Sequence, residues 1–169
     1  MLIDRLLESA AISRLLGSLW SRLPEGARRG LIGLYPVPRF RAGTLCLVLD
    51  GEDRVLLLRH RFRGDRPWGL PGGWLEKGES PMRGMRRELR EELGLDLDPA
   101  DLELAWAAGR SGRSHIEVYF RTRVARVDPP PCPEFTDWDW FGVDDLPSGM
   151  HEDHRRIVRA IMRGGRPPA

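Results

Sequence analysis

The sequence predicts an α/β fold, with helices on both faces of a mixed β-sheet and a helical extension at the N-terminus. Apolar runs of strand length are interleaved with two segments of helical periodicity, which is the pattern of a sheet covered by helices. The 169 residues, of which 41% are hydrophobic and 31% charged, suffice for one domain with a buried core. The net charge is only +2, and this disfavours a protein dedicated to binding a nucleic acid duplex.

Residues 1–38 are predicted to form a basic amphipathic extension. Apolar residues recur near helical spacing until Pro24 and Gly26 interrupt the pattern, and Pro36 and Pro38 close the segment. The apolar positions of the first helix are Leu2, Leu6, Ile12, Leu15, Leu16, Leu19, Trp20 and Leu23. We expect the extension to pack on its own domain or across a homodimer. The alternative is that it lies flat on an anionic membrane surface, because arginines are interspersed with the apolar residues.

Five later segments are predicted to be β-strands. They have the sequences GTLCLVLD, RVLLLRHRF, LELAWAAG, SHIEVYFRTRV and TDWDWFGV, and they begin at residues 43, 54, 102, 114 and 136. The fourth strand alternates strictly, so its two faces differ in character. One face carries Ile116, Val118, Phe120 and Val124, and the other carries His115, Glu117, Tyr119, Arg121 and Arg123.

Two helices are predicted, at residues 80–93 and 151–162. Ser80 is a favourable N-cap, Pro81 suits the first helical position, and Gly94 is a typical left-handed stop. The spacing of the apolar residues predicts which side chains face inward. These are Met85, Leu89 and Leu93 in the first helix, and Ile157, Val158 and Ile161 in the second.

The first of these helices places three carboxylates on one face, since Glu88, Glu91 and Glu92 stand at i, i+3 and i+4. Like charges at i,i+4 destabilise a helix by roughly 0.2–0.5 kcal/mol per pair. A bound cation would remove this cost, and carboxylate oxygens suit Mg²⁺ or Mn²⁺ ions that bridge to substrate phosphates. The alternative is a solvated face on which neighbouring arginines neutralise the acids.

The three carboxylates belong to a longer motif. Gly73, five residues, Glu79, seven residues and then the sequence RELREELGL at 87–95 match the Nudix box at every fixed position. The chain therefore resembles the Nudix hydrolase family, from residue 41 to about residue 162. The resemblance implies a Nudix-type α/β/α sandwich with a mixed sheet. It also implies Mg²⁺-dependent cleavage of the pyrophosphate linkage in a nucleoside diphosphate joined to another moiety.

The resemblance assigns roles to residues of the box. The implied metal ligands, for Mg²⁺ or for Mn²⁺, are the carboxylates of Glu88, Glu91 and Glu92 and the carbonyl oxygen of Gly73. Arg87 is expected to pair with Glu79 and to orient the helix face. Glu88 is the first candidate for the base, because a carboxylate beside the metal ions can take a proton from the attacking water.

One further acidic residue is expected from outside the box. The segment CPEFTDWDWFGVDDLP resembles a later part of the family, in which a Glu precedes a Trp-containing strand, and Glu134 is the best match. Four prolines before or beside it each fix φ near −65°, which would hold this carboxylate at low entropic cost. Asp137 and Glu117 are rivals for the role. The alternative for Glu134 is a solvated loop carboxylate.

Substrate-binding candidates come from two places. Residues 59–68 supply Arg59, Arg61 and Trp68, and such residues bind phosphates and stack on bases. His115 lies on the polar side of its strand and either lines a pocket or is exposed. The expected partner is a nucleotide-type small molecule, either a nucleoside triphosphate or an ADP-sugar. A non-catalytic nucleotide-sensing or partner-binding module is the alternative function, although the intact acidic positions favour hydrolysis.

The chain is thus expected to comprise the extension, a domain at 39–163 and a disordered tail at 164–169. Cys46 and Cys132 lie in unrelated contexts and are too few for a disulfide framework. No run of 18 apolar residues occurs, and charged residues interrupt the N-terminal apolar stretch, unlike in a secretory signal. The sequence therefore favours a cytoplasmic protein that does not span a membrane.

Overall fold

The computed structural model describes residues 10–34, 40–109, 114–125 and 127–167. The chain divides into two compact units, Met1–Pro38 and Arg39–Ala169. Residues 1–9 and 35–38 of the predicted extension, among them Leu2, Leu6, Pro36 and Pro38, lie outside the described residues.

Within residues 10–34, the described part of the first unit, there are two helices, α1 (Ala10–Arg22) and α2 (Glu25–Leu34). They are separated at Pro24, whose carbonyl accepts hydrogen bonds from the backbone N–H groups of Ala27 at 3.0 Å and Arg28 at 3.1 Å. The large apolar side chains on both helices are exposed, namely Ile12, Leu15, Leu16, Leu19, Trp20, Leu31, Ile32 and Leu34. None of the helices in the described residues has the length and apolar character needed to cross a bilayer. Docking of this apolar face remains a prediction.

The second unit is built on a mixed sheet, and this confirms the predicted fold class. Its strands, among the described residues, are β1 (Arg41–Leu49), β2 (Val55–His60), β3 (Trp68–Gly69), β4 (Gly72–Trp74), β5 (Glu103–Gly109), β6 (His115–Arg123) and β7 (Phe135–Phe141). The main order is β3-β2-β1-β6-β5, with β4 pairing to β1 and β7 to β2. Only the β1–β6 pair among these is parallel. The same described residues form the helices α3 (Pro81–Leu93) and α4 (Glu152–Met162) and a 3₁₀ turn at Pro99–Asp101.

Both faces of the sheet contribute to a buried core layer. Successive side chains of a strand point to opposite faces, so each central strand supplies residues to both layers. One core layer packs against α3 and includes Cys46, Val48, Leu56, Leu58, Met85, Leu89 and Leu93. The other packs against α4 and includes Leu45, Leu47, Leu57, Tyr119, Ile157, Val158 and Ile161. The central strands therefore need apolar residues at every position, which explains their continuous apolar runs.

The predicted signals for α3 are present. The Ser80 side chain accepts a hydrogen bond from the Arg83 N–H at 3.4 Å, and Pro81 is the first helical residue. Gly94 has a left-handed φ of 68°, and its N–H donates to the Arg90 carbonyl at 3.1 Å. In α4, the three residues predicted to face inward are buried.

The two faces of β6 do not divide simply into buried and exposed. On the face of polar residues, Tyr119 is fully buried and His115 is only 7% exposed, whereas Arg123 at the end of the strand is exposed. On the opposite face, Ile116 is 40% exposed. At the C-terminus, Pro167 is buried, and residues 168–169 lie outside the described part of the chain, so the expected disorder of the tail remains a prediction.

Candidate functional site

The three carboxylates of α3, Glu88, Glu91 and Glu92, are here called the acidic face. They differ in exposure, since Glu91 is exposed, Glu88 is half-buried and Glu92 is only 3% exposed. Glu92 Oε2 accepts a hydrogen bond from the Gly72 N–H at 2.7 Å. Its other oxygen, Oε1, is buried without a hydrogen-bond partner among the described residues. Such a carboxylate is costly in an isolated domain, and it suits a site that receives a cation.

Burial dominates the electrostatics of Glu92. Desolvation raises the pKa of Glu92 to about 8, the hydrogen bond from Gly72 opposes this shift, and the negative charges of Glu88 and Glu134 add to it. Burial also raises the pKa of Glu88, although its hydrogen bond from Arg87 favours the charged form. Burial therefore disfavours the ionised forms of Glu88 and Glu92 in the acidic face.

Arg87 connects the acidic face to the preceding loop. Its Nε and Nη2 atoms donate to the two oxygens of Glu79, each at 3.2 Å, as predicted for this pair. Nη2 also donates to the Trp74 carbonyl at 3.1 Å. Nη1 donates to Glu88 Oε1 at 2.8 Å and to Glu91 Oε2 at 3.1 Å. These bonds raise the pKa of Arg87, and the bond to Arg87 is the main cause that lowers the pKa of Glu79.

Two glycines bring the β4 backbone close to the acidic face. A Cβ atom at Gly73 would lie 2.6 Å from Glu88 Oε1, so any side chain there would collide with that carboxylate. Gly72 has a φ of +131°, and a Cβ atom there would lie 2.1 Å from the Thr44 carbonyl oxygen. Only glycine allows this backbone conformation and this close approach. The backbone of Gly73 thus lies against Glu88, as the metal-site prediction requires.

The acidic face fits a divalent cation in its chemistry. In the arrangement seen, no three acidic, imidazole or thiol groups in the described part of the chain converge closely enough to hold an ion. Arg87 explains this, because its guanidinium holds Glu88 and Glu91. The ligands are nevertheless hard oxygens, one of them buried and unpartnered, beside a glycine backbone.

Of the three residues considered for the additional acid, Glu134 is the one whose charge acts on Glu88 and Glu92 of the acidic face. It is exposed and directly precedes β7, and its backbone carbonyl accepts from the Arg61 N–H at 2.9 Å. Its charge contributes to the raised pKa values of Glu88 and Glu92, which places it within electrostatic reach of both. Asp137 is also exposed, and its carboxylate accepts from the Trp138 N–H at 2.9 Å.

A cavity of about 870 Å³ lies beside Trp74, the last residue of β4. This volume lies within the range of about 300–1,000 Å³ that is usual for small-molecule sites. Its wall combines guanidinium groups with aromatic rings, from Arg41, Arg63, Arg66, Trp68 and Trp74. Such a wall can bind phosphates and stack on a planar ring.

A buried polar cluster forms another part of the cavity wall. Glu117 Oε2 accepts from the Tyr119 hydroxyl at 2.7 Å, and His154 Nε2 lies 3.2 Å from each Glu117 oxygen. His115 Nε2 lies 3.4 Å from Glu117 Oε1, but this atom is buried with no hydrogen bond within the described residues. The Trp74 and His115 rings pack in a T-shaped arrangement, with ring centroids 5.6 Å apart. Glu117, the third acid considered, thus lies in the cavity, paired with a histidine that the sequence did not indicate.

The structure separates the four predicted substrate-binding residues. Trp68 and His115 line the cavity. Arg59 does not, and its Nη1 lies 3.4 Å from Thr136 Oγ1. Arg61 also lies elsewhere, with its Nε donating to the Pro133 carbonyl at 3.1 Å. Arg63, from the same arginine-rich segment, lies in the cavity wall instead.

Comparison with known proteins gives a consistent result. The model of the NUDIX domain matches residues 39–161. The RNA pyrophosphohydrolase of Halorhodospira halophila is 31% identical over 148 residues, which cover 72% of this chain and 80% of that protein. The NAD-capped RNA hydrolase NudC of Mycobacterium tuberculosis is 38% identical over 78 residues, which cover 46% of this chain and 23% of that protein.

Solved structures share the fold. The NUDIX domain of Shewanella oneidensis NrtR, complexed with ADP ribose, aligns with a TM-score of 0.66 and 18% identity, over 84% of this chain and 98% of that one. A bifunctional NMN adenylyltransferase/ADP ribose pyrophosphatase from Francisella tularensis, complexed with AMP and a Mn ion, aligns with a TM-score of 0.61 and 17% identity. That alignment covers 96% of this chain and 52% of the other.

Proposed function

The chain belongs to the Nudix family of hydrolases, and we propose that it cleaves the pyrophosphate linkage of a nucleoside diphosphate joined to another group, with Mg²⁺ or Mn²⁺ as its cofactor. The observation that carries this proposal is the buried, unpartnered oxygen of Glu92 beside Glu88 on the acidic face. A divalent cation would satisfy that oxygen and offset the repulsion among the three carboxylates.

The residues of the box have distinct tasks in this proposal. Glu88, Glu91, Glu92 and the carbonyl of Gly73 would hold the metal. When bound, the metal would neutralise the charge of the pyrophosphate and acidify a water molecule. Arg87 is a positioning residue, because its bidentate contact with Glu79 fixes it beside Glu88 and Glu91. Its guanidinium could keep the contact with Glu79 while the two carboxylates turn toward a cation.

The proton of the attacking water would pass to Glu88 or to Glu134. Glu88 belongs to the acidic face, and a carboxylate beside the metal ion could take a proton from the attacking water. Glu134 reaches the same region from a different element, and its charge acts on both Glu88 and Glu92. Either carboxylate would therefore lie near the water that attacks the phosphorus atom.

The substrate is proposed to be a nucleotide-type molecule whose remaining part enters the cavity. Trp68 and Trp74 offer rings on which a base could stack, and guanidinium groups lie beside them. A nucleoside triphosphate and an ADP-sugar both meet this description. The names of the relatives add RNA, including NAD-capped RNA, to the compounds worth testing. A cytoplasmic location and a homodimer remain predictions.

The proposal can be tested with a panel of compounds: ATP, GTP, ADP-ribose, NAD⁺ and an RNA oligonucleotide with a 5′-triphosphate. Each is incubated with the protein and Mg²⁺ or Mn²⁺, and products are separated by chromatography, with EDTA as the metal-free control. We expect cleavage of a pyrophosphate linkage in at least one compound, and no cleavage with EDTA. Binding of these compounds without cleavage of any would contradict the proposal and favour the nucleotide-sensing alternative.

A further inference from the structure

Arg63 belongs to the cavity wall and lies within electrostatic reach of Glu92, a residue of the acidic face. It lines the cavity, and the charges of Glu92, Glu117 and Glu134 all act on its guanidinium. We propose that Arg63, held in place against Gly69, binds a phosphate of the substrate where the substrate passes from the acidic face into the cavity. This inference rests on the proposed function, because it assumes that the cleaved linkage lies at the acidic face.

The absence of a side chain at Gly69 makes room for Arg63. A Cβ atom at Gly69 would lie 2.0 Å from Arg63 Nη1 and 3.1 Å from its Cζ. The same Cβ atom would lie 3.2 Å from His60 Nε2. Because the colliding atoms belong to the end of a flexible side chain, even a methyl group here would displace the guanidinium while leaving the fold in place.

The guanidinium of Arg63 is available to a ligand. Among the described residues it makes no hydrogen bond or ion pair, although an arginine carries five N–H donors. Arg63 is exposed as a whole residue, although partial desolvation of its guanidinium lowers its pKa and the charges of the three carboxylates oppose this shift. A cation without a direct partner gains from a ligand anion, and the planar guanidinium matches a phosphate with two parallel hydrogen bonds.

The other arginines of the region are less suited to this role. Arg66 lines the cavity, but its Nε atom lies 3.9 Å from a carboxylate oxygen of Asp65. Arg59 and Arg61 contact β7 and the loop before it. Arg63 alone among these four combines a place in the cavity wall with electrostatic contact to Glu92.

The first test measures binding of ADP to the intact protein, using the change in tryptophan fluorescence, because Trp68 and Trp74 share the cavity wall with Arg63. Losing a charge-assisted contact should weaken binding roughly 10- to 100-fold in Arg63→Ala. Arg63→Lys should lie between that variant and the wild type, since lysine keeps the charge but loses the bidentate geometry. The matched control is Arg156→Ala, an exposed arginine of α4 paired with Glu152, which should stay within twofold.

The second test uses Gly69→Ala, alone and combined with Arg63→Ala. If Gly69 acts by seating Arg63, the glycine variant should weaken ADP binding in the wild-type background and have no further effect when Arg63 is absent. If Gly69→Ala weakened ADP binding equally in the presence and absence of Arg63, the claim that Gly69 positions Arg63 would be wrong.

Failure of this inference can be told apart from failure of the proposed function. Unchanged ADP affinity in Arg63→Ala, in a protein that still cleaves a compound of the panel, would overturn only the role of Arg63. A larger loss in Arg61→Ala than in Arg63→Ala would also overturn it. A wild-type protein that neither binds ADP nor cleaves any compound of the panel would overturn both.

Discussion

Arg87, beside the acidic face, and Arg63, one of the arginines of the cavity wall, differ in what they contact. Arg87 donates hydrogen bonds to three carboxylates and one carbonyl oxygen. Arg63 has three carboxylates within electrostatic reach but no direct bond within the described residues. We infer that Arg87 is a structural support whose partners are already in place, whereas Arg63 is available to a substrate. Nearness to acidic residues alone does not distinguish these roles, and hydrogen-bond saturation does.

The largest effect is expected at the acidic face, from Glu92→Gln. A glutamine can still accept the hydrogen bond from Gly72, so the protein should remain folded, but the charge is lost. Since a metal ion supplies several kcal/mol of transition-state stabilisation, we expect turnover to fall at least about 100-fold. Glu91→Gln should behave similarly. Steady-state rates with Mg²⁺, together with circular dichroism, provide the measurement.

The control for these variants is Glu103→Gln, on the exposed edge of β5, where the carboxylate pairs with Arg121. Its rate should stay within about twofold of the wild type. Rates close to wild type in both Glu91→Gln and Glu92→Gln would remove the acidic face from the mechanism.

The next prediction compares Glu134 with Glu117. A group that acts mainly in the transition state lowers kcat and leaves KM nearly unchanged, and general bases typically contribute about 10²–10⁴-fold. We therefore expect Glu134→Gln to lower kcat by about 100-fold. Glu117→Gln, in the cavity cluster, should mainly raise KM. A normal kcat in Glu134→Gln with a large loss in Glu117→Gln would move the role to β6. Normal activity in both variants would leave Glu88 as the base.

The acidic face could be predicted from sequence because its parts are local. Glu88, Glu91 and Glu92 lie on one helix, whose periodicity fixes their common direction. Arg87 is on the same helix, and Glu79 follows from the fixed spacing of the box. The caps at Ser80 and Gly94 fixed the ends of that helix in the same way, through residue types with known preferences.

The cavity wall could not be predicted in this way, because it is assembled from several separate elements. Glu117 and His154 pair across 37 positions of sequence, and no local pattern joins them. Arg59 and Arg63 belong to one arginine-rich segment, yet the chain turns after His60 and pairs β3 with β2. That turn brings Arg63 onto Gly69, while Arg59 stays beside Thr136.

A smaller effect, on the pH dependence of stability, is expected from the buried residue His60. Burial, with a contribution from the Arg63 charge, lowers the pKa of His60 to about 3 in the folded protein, compared with about 6.5 for an exposed histidine. The unfolded chain therefore binds more protons between these values, and the free energy of unfolding falls as the pH drops below 6.5. At pH 5 the loss from this residue should be about 2 kcal/mol relative to pH 8.

Urea unfolding of the wild type and His60→Asn at several pH values tests this effect. The Asn side chain can keep a hydrogen bond to the Leu70 backbone, like that of His60, and does not titrate. The variant should therefore show a shallower loss of stability between pH 7 and pH 5. Parallel curves for the two proteins would show that His60 is not held neutral.

The smallest effect on catalysis is expected from deletion of residues 1–38. The exposed apolar side chains of α1 and α2 should govern association or solubility, whereas the acidic face and the cavity lie in the second unit. We expect a changed oligomeric state in light scattering, with kcat within about threefold of the wild type. Salt-sensitive cosedimentation of the full chain with anionic vesicles would instead support the membrane-surface alternative. A large loss of kcat with unchanged association would contradict the prediction.

The central claim is that the acidic face of α3 binds a divalent metal ion. Its most direct test is a titration of the metal-free protein with Mn²⁺, in which free Mn²⁺ is followed by electron paramagnetic resonance. We predict that the wild type and Glu103→Gln bind Mn²⁺ with the same affinity, and that Glu92→Gln binds it at least about 10-fold more weakly. Equal Mn²⁺ binding by Glu92→Gln and the wild type, or no binding by the wild type, would contradict the claim.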